Sequence, residues 1–174
     1  QHDVCQSSSV PGVSFSGHSQ GGNMAWKALV MSNWKEVSYT SPGGYVGHAS
    51  FNDFSYHWKY LPGPALFLSG SDDTVSTPYI VERRWNEQTS AKLPSYYIEL
   101  KNFAHKEFTT SVSVAKITWH FLGCHVKGVD KDCTFFKPMS CELHGNAIVS
   151  SSCKLKKLPP PPPPPSPRPP PPPS

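Results

Sequence analysis

Short apolar runs and amphipathic segments alternate along the first part of this chain. The run ALFLS at 65–69 is continuous and apolar, as a parallel strand buried on both faces requires. Segment 21–32 repeats apolar residues at nearly helical spacing, and Pro78 stands where the first turn of a helix is expected. The predicted strands are 10–16, 35–40, 65–69 and 95–100, and the predicted helices are 21–32, 78–88 and 111–122, with Gly123 ending the last helix.

The order of these elements predicts the fold class. Strands alternate with helices, apart from a segment at 45–60 that mixes aromatic and polar residues without a period and is predicted to be a loop. Strands that are separated by helices pair in parallel. We therefore expect an α/β domain with a doubly wound, mostly parallel sheet.

Proline content divides the chain into two parts. Of the 20 prolines, 13 lie in residues 159–174, where they favour a polyproline II rod of roughly 50 Å. Residues 1–158 hold the other 7 and are predicted to form one domain, with a cysteine-rich end at 123–158. The tail resembles the Ser-Pro-rich segments of plant and green-algal wall glycoproteins. A ligand for SH3 or WW domains, or a plain linker, is the alternative for this tail.

Charge and hydropathy exclude some classes of function. Residues 1–158 carry 15 of the 16 Lys and Arg and all 12 Asp and Glu, a net charge of +3. An excess this small, with no basic run longer than 154–157, argues against a nucleic-acid-binding protein. No apolar stretch approaches the ~20 residues of a bilayer-spanning helix. We expect neither a nucleic-acid partner nor a transmembrane segment.

The five cysteines indicate an oxidising, extracellular compartment, although no export signal is visible. The cysteines lack any C-x₂-C spacing, so disulfides are favoured over a zinc site that would include His125 and His144. Four cysteines allow three pairings, and a fifth is left over. No metal ligand is predicted among the histidines, which are expected to be structural or solvent-facing. The four cysteines are Cys124, Cys133, Cys141 and Cys153, the fifth is Cys5, and the histidines are His48, His57, His120, His125 and His144.

One motif carries chemistry. Residues 17–22 read GHSQGG, which is G-x-S-x-G between a predicted strand and a predicted helix. In this context Ser19 is held on a sharp, strained turn that projects its hydroxyl above the sheet. We expect Gly17 and Gly21 to avoid clashes in that turn. The backbone N–H of Gln20, at the start of the helix, is placed to stabilise an oxyanion.

A pair of aspartates and a histidine follow, in the order Ser, Asp, His that α/β hydrolases use. Asp72 and Asp73 come directly after the strand at 65–69, and His105 follows the strand at 95–100. The carboxyl ends of parallel strands meet at one edge of the sheet, so these side chains are expected to converge on Ser19. Spacing alone leaves the acid open between the two aspartates.

The chain resembles the C-terminal half of an α/β hydrolase, closest to the cutinase and polyester-hydrolase branch of esterases and lipases. In that branch, the turn that carries the nucleophile, called the elbow, reads G-H-S-M-G-G. In this chain the elbow is residues 17–22, and Gln20 replaces the Met. The matching span runs from about residue 10 to residue 138. The branch's aromatic residue in the loop after the next strand is absent, because SPGG stands at 41–44. Further matches lie in and around two loops: the acid loop, which carries Asp73, and the histidine loop, which carries His105. The matching residues are Pro64, Leu66, Asp73, Thr74, Val75, Pro78, Leu100 and His105.

The resemblance implies a secreted serine esterase or lipase with Ser19, Asp73 and His105 as its catalytic triad and Gln20 as an oxyanion donor. It favours Asp73 over Asp72 as the acid and implies no cofactor. The substrate would be a carboxylic ester, such as a lipid, a polyester or a wall acetyl ester, and the Pro-rich tail would associate with the cell wall. Tyr45 is a candidate to line an acyl pocket. The alternative is a non-catalytic wall glycoprotein in which a decayed hydrolase domain is a folded module.

Only 18 residues precede Ser19, whereas this fold takes its second oxyanion N–H from a loop well upstream of the elbow. The sequence therefore predicts a partial α/β-hydrolase fold that lacks its N-terminal strands. We expect these residues alone to fold poorly and to have little or no esterase activity.

Overall fold

A computed structural model describes residues 14–31, 44–50, 61, 63–89, 93–136 and 150–156. Within these residues strands and helices alternate, and two short 3₁₀ helices follow β4 and α4. The strands are β1 (Phe15–His18), β2 (Tyr45–His48), β3 (Ala65–Gly70), β4 (Ser95–Leu100) and β5 (Ser150–Lys156). The helices are α1 (Gln20–Met31), α2 (Pro78–Gln88), α3 (Val112–His125) and α4 (Asp130–Cys133), and the 3₁₀ helices are His105–Thr109 and Thr134–Phe136.

The described strands form one sheet in the order β1-β2-β3-β4-β5. The first four are parallel, and β5 pairs antiparallel with β4. The prediction of an α/β fold with a mostly parallel sheet is confirmed. Because β1, β3 and β4 are parallel, the residues that follow them lie at the same edge of the sheet.

Helices cover both faces of the sheet, which explains the continuous apolar run of β3. Side chains alternate along a strand, so Leu66 and Leu68 pack on one face and Ala65 and Phe67 on the other. The Leu66 face is covered by α3, and the Phe67 face is covered by α1 and α2. The core residues of the α3 side include Val46, Ile98, Val114, Ile117 and Phe121, and those of the other side include Trp26, Leu29, Val81, Trp85 and Tyr97.

Several element boundaries match the predictions. The observed bounds of α2 and β4 are those predicted, and β3 is one residue longer than its predicted strand. The predicted strand 35–40 lies outside the described residues, as do residues 51–60 of the predicted loop and the tail 159–174.

Two predictions are wrong. The segment Tyr45–His48, predicted to be part of a loop, is β2, the strand between β1 and β3. It lacks a clear pattern because Tyr45, Val46 and Gly47 are all buried. Gly123 does not end α3, which continues to His125. Glycine at this position leaves room for the Asp132 carboxylate, which packs where a Cβ would stand.

Besides the two 3₁₀ helices, two elements had no counterpart in the predictions. The helix α4 is only four residues long, and β5 lies in the cysteine-rich end, where no strand was predicted. In the described part of the chain, no helix has the length and apolarity needed to cross a bilayer.

Candidate active site

Ser19 occupies a strained turn between β1 and α1. Its φ is 53°, in the left-handed region that residues other than glycine rarely adopt. Such a conformation costs about 1–3 kcal/mol and persists only where the surroundings enforce it. Here the Ser19 N–H donates to the carbonyl of His48 at 3.0 Å, and the Ser19 carbonyl accepts from Gly22 N–H at 3.0 Å. The turn is thus held from β2 on one side and from α1 on the other.

The glycines around Ser19 have unequal roles. A Cβ on Gly17 would collide with the backbone of Gly21, and a Cβ on Gly22 would collide with the side chain of Ser50. A Cβ on Gly21 would meet nothing within 4 Å. The expectation that Gly21 avoids a clash of its own is therefore wrong. The tight packing is at Gly17 and Gly22, because α1 starts directly against the end of β1.

Tyr45 lies beneath the elbow and not in an acyl pocket. It is 2% exposed, and its hydroxyl bonds to Ser50 Oγ at 3.0 Å and to the carbonyl of Gly22 at 3.3 Å. Burial raises the pKa of Tyr45 to about 12, so the phenol is neutral and available as a donor. The earlier interpretation of Tyr45 as a pocket residue is corrected: its position at the start of a buried strand directs it into the core.

Asp73 is a buried carboxylate with three hydrogen bonds. Its Oδ1 accepts from the N–H groups of Val75 and Ser76, both at 2.8 Å, and its Oδ2 contacts His105 Nδ1 at 2.8 Å. The side chain has no exposed surface. Asp72 is exposed and accepts from the hydroxyl of Ser71 at 2.7 Å. Between the two aspartates, Asp73 is the one that faces the histidine.

The contact with Asp73 fixes the tautomer of His105. A carboxylate accepts, so Nδ1 carries the proton and donates it. In the neutral ring, Nε2 is then left with a lone pair, as a general base requires. The side chain of His105 is 17% exposed, which leaves it accessible from solution.

Backbone hydrogen bonds hold the acid loop and the histidine loop together. Ser71 N–H donates to the carbonyl of Leu100 at 2.9 Å, and Asp72 N–H donates to that of Phe103 at 3.0 Å. The hydroxyl of Ser71 accepts from Asn102 N–H at 2.8 Å. These contacts fix the two loops relative to each other, and with them the distance between Asp73 and His105.

Ser19 is brought to the same edge but is not bonded to His105. Among the described residues, its hydroxyl has no hydrogen-bond partner. The neighbouring His18 makes the link instead: its Nε2–H donates to the carbonyl of His105 at 2.8 Å. The two rings lie 4.6 Å apart between centroids. Bonds between nucleophile and base are often long before substrate binds, so the absence of this bond does not by itself exclude a catalytic pair.

Gln20 is the first residue of α1, where backbone N–H groups have no acceptor within the helix. Within the described residues its N–H makes no hydrogen bond, so it can donate to an anion above Ser19. The positive end of the helix dipole would add to this attraction.

Three other histidines have structural contacts. His48 Nε2 bonds to Thr118 Oγ1 at 3.0 Å, and His125 Nε2 bonds to the Tyr96 hydroxyl at 3.0 Å. The pKa of each of these two histidines is lowered to about 4, by burial in both cases and with a smaller contribution from His18 in His48. His120 Nδ1 contacts Asp132 Oδ1 at 2.9 Å. Among the residues that the structure describes, no three potential ligands cluster as a metal site would require.

A disulfide joins Cys124 to Cys133, one of the pairs left open by the sequence. It connects the end of α3 to α4. Cys5, Cys141, His57 and His144 lie outside the described residues, and β5 is described without the side chain of Cys153.

Comparison with known proteins found no match, either to a family model or to a curated protein sequence. The chemistry of this site is therefore argued from its own residues. Sequence reasoning missed His18, because G-x-S-x-G treats its second position as free. It also missed Ser50, whose contacts with Tyr45 and Gly22 depend on a strand that had been predicted to be a loop.

Proposed function

We propose that this protein is a serine hydrolase of carboxylic esters, with an α/β-hydrolase fold and Ser19, His105 and Asp73 as its triad. The observation that carries the proposal is the buried Asp73 carboxylate bonded to His105 Nδ1. A buried charge is costly unless it is paired and hydrogen-bonded. Asp73 meets both conditions. The strained turn of Ser19 lies at the same edge of the sheet as Asp73 and His105.

The mechanism has two acyl-transfer steps. Ser19 Oγ attacks the ester carbonyl carbon while His105 Nε2 takes the hydroxyl proton, which then goes to the departing alkoxide as the ester C–O bond breaks. Asp73 stabilises the imidazolium that forms. Water, activated by His105, cleaves the acyl-enzyme and releases the acid and free Ser19. The Gln20 N–H donates to the oxyanion, a contact whose loss typically costs about 10²–10³ in rate.

The substrate class is proposed from the resemblance. The pattern around Ser19, Asp73 and His105 is similar to that of cutinases and polyester hydrolases, which favours a lipid, a polyester or a wall acetyl ester. The Pro-rich segment 159–174 would hold a secreted enzyme at the cell wall. The proposed reaction is complete with the triad and water, so it requires no cofactor.

Covalent labelling with a fluorophosphonate tests the proposal, because the probe reacts only with a serine that a base activates. The protein, taken as cells produce it, is expected to be labelled, and mass spectrometry should place the adduct on Ser19. Labelling should be lost in Ser19→Ala and kept in Ser16→Ala, a matched control at an exposed serine of β1.

A well-folded protein without any adduct would refute the enzymatic proposal. That result would favour the alternative, a non-catalytic extracellular module on a Pro-rich stalk. The unbonded hydroxyl of Ser19 is the observation that keeps this alternative open.

A further inference from the structure

His18 connects the strand of the nucleophile to the loop of the base. It is the last residue of β1 and precedes Ser19, while its ring lies against the 3₁₀ helix that begins at His105. Its Nε2–H donates to the carbonyl of His105 at 2.8 Å across 87 residues of sequence. Among the residues that the structure describes, no other side-chain hydrogen bond links β1 to that helix.

The ring of His18 is also fixed by two aromatic neighbours. Its centroid is 4.6 Å from that of His105, with the ring planes tilted by 47°. On Phe108 it stacks at 6.3 Å with an interplanar angle of 21°. The ring therefore contacts both the base and a buried side chain of the same 3₁₀ helix. Because His105 and Phe108 belong to one 3₁₀ helix, both ring contacts hold His18 against the element that carries the base.

We propose that His18 is a positioning residue, which sets where His105 stands relative to Ser19. This inference rests on the proposed function for the role of His105 as base. The hydrogen bond from His18 fixes the main chain of His105, and the contact with Asp73 fixes its ring through Nδ1. With both fixed, the His105 ring has little freedom to turn or shift.

The donor and the ring make separable contributions. Glutamine at position 18 supplies an N–H near the place of Nε2 without the ring, and phenylalanine supplies a ring without the N–H. We expect His18→Gln to keep kcat for a soluble ester within about three-fold. His18→Phe should lower kcat by about five-fold to ten-fold at nearly unchanged KM, the effect of losing one net hydrogen bond.

The matched control is His120→Phe. His120 stacks on Phe135 and contacts Asp132, away from the histidine loop, so the same substitution there should leave kcat unchanged. Rates are expressed per serine that the fluorophosphonate titrates, so a loss of folded protein does not count as a loss of rate. Equal kcat values for His18→Phe and the wild type would overturn the proposal, and so would a loss in His18→Gln equal to that in His18→Phe.

A readout without catalysis separates this inference from the proposed function. In protein with ¹⁵N-labelled histidine, the His105 Nδ1–H that faces Asp73 should give an exchange-protected proton resonance. It should persist in His18→Gln and His120→Phe, and should broaden or vanish in folded His18→Phe. If the wild type shows no activity and no labelling, the proposed function fails, and this resonance still decides whether His18 positions His105. An unchanged resonance in His18→Phe would refute the positioning role.

Discussion

Asp73 shows how much of the site is decided by the surroundings of a single side chain. Its carboxylate accepts two backbone N–H groups on one oxygen and His105 on the other, and is shielded from water. The neighbouring Asp72 has the same chemistry but is exposed. Because ionised groups are costly to bury, the preformed acceptor sites of Asp73 are what make a buried carboxylate tolerable.

Replacing Asp73 by asparagine should abolish most activity without unfolding the protein. The amide oxygen can still accept from Val75 and Ser76, but its NH₂ group faces His105 Nδ1 and favours the wrong tautomer. We expect kcat to fall by about 10³–10⁴, measured as ester turnover or as the rate of fluorophosphonate labelling. Asp72→Asn is the control and should change the rate little. Similar losses in both variants would contradict the role given to Asp73.

Residue types and their places after predicted strands indicated Ser19, the pair Asp72 and Asp73, and His105. The family resemblance, and not the spacing, favoured Asp73 over Asp72. The contact of His18 with the carbonyl of His105 was beyond reach, since it joins residues far apart in sequence through a main-chain atom. Such a contact depends on how two loops that are distant in sequence are placed relative to each other, and no local sequence pattern encodes that placement.

The turn between β1 and α1 is the element on which the site depends. Ser19 keeps a φ of 53° only while α1 starts directly against the end of β1. This close approach requires a missing Cβ at Gly17, whose Cα faces the backbone of Gly21. Backbone atoms cannot rotate away as a side chain can, so a clash here must displace the strand or the helix.

The matched pair Gly17→Ala and Gly21→Ala tests this packing. We expect Gly17→Ala to lower the free energy of unfolding by about 2 kcal/mol or more, the range of overpacking in a rigid site. Gly21→Ala meets no atom within 4 Å and lies in a helix, where alanine is favoured by up to about 1 kcal/mol. Urea unfolding curves of the two variants measure both values. Equal stability of the two variants would show that the approach of α1 to β1 is not tight.

Strands and helices were predicted correctly where their sequence has a clear apolar pattern or a proline start, and were missed where it has neither. The strands β3 and β4 and the helix α2 have clear patterns or a proline start, and their bounds were close to those observed. The strand β2 carries tyrosine, glycine and histidine on a buried stretch, so its sequence lacks a strand signature. Gly123 is the opposite case: a residue typical of helix ends lies inside α3, where its missing Cβ leaves room for Asp132.

At the scale of the whole molecule, the burial of two histidines makes the free energy of unfolding dependent on pH. The histidines His48 and His125 are neutral in the folded protein, because burial lowers their pKa values from 6.5 to about 4. In the unfolded chain they regain an ordinary pKa. Between about pH 6.5 and pH 4 the unfolded state therefore binds more protons than the folded state, and stability falls as the pH is lowered.

We expect the free energy of unfolding to be greatest above about pH 6.5 and to decline steadily toward pH 4, as measured by urea unfolding across that range. In His125→Gln the decline should be shallower, because one titrating group is gone while an amide can still bond to the Tyr96 hydroxyl. An unaltered pH dependence in this variant would mean that His125 is not buried as a neutral ring.

The central claim is that Ser19, His105 and Asp73 act together at one edge of the sheet. The most direct test is an experimental structure of the protein after reaction with a fluorophosphonate. We predict a phosphorus atom bonded to Ser19 Oγ, a phosphonyl oxygen accepting from Gln20 N–H, His105 Nε2 within hydrogen-bonding distance of Ser19 Oγ, and Nδ1 still on Asp73. An adduct on a different residue, or a His105 ring that stays out of reach of the modified serine, would contradict the account.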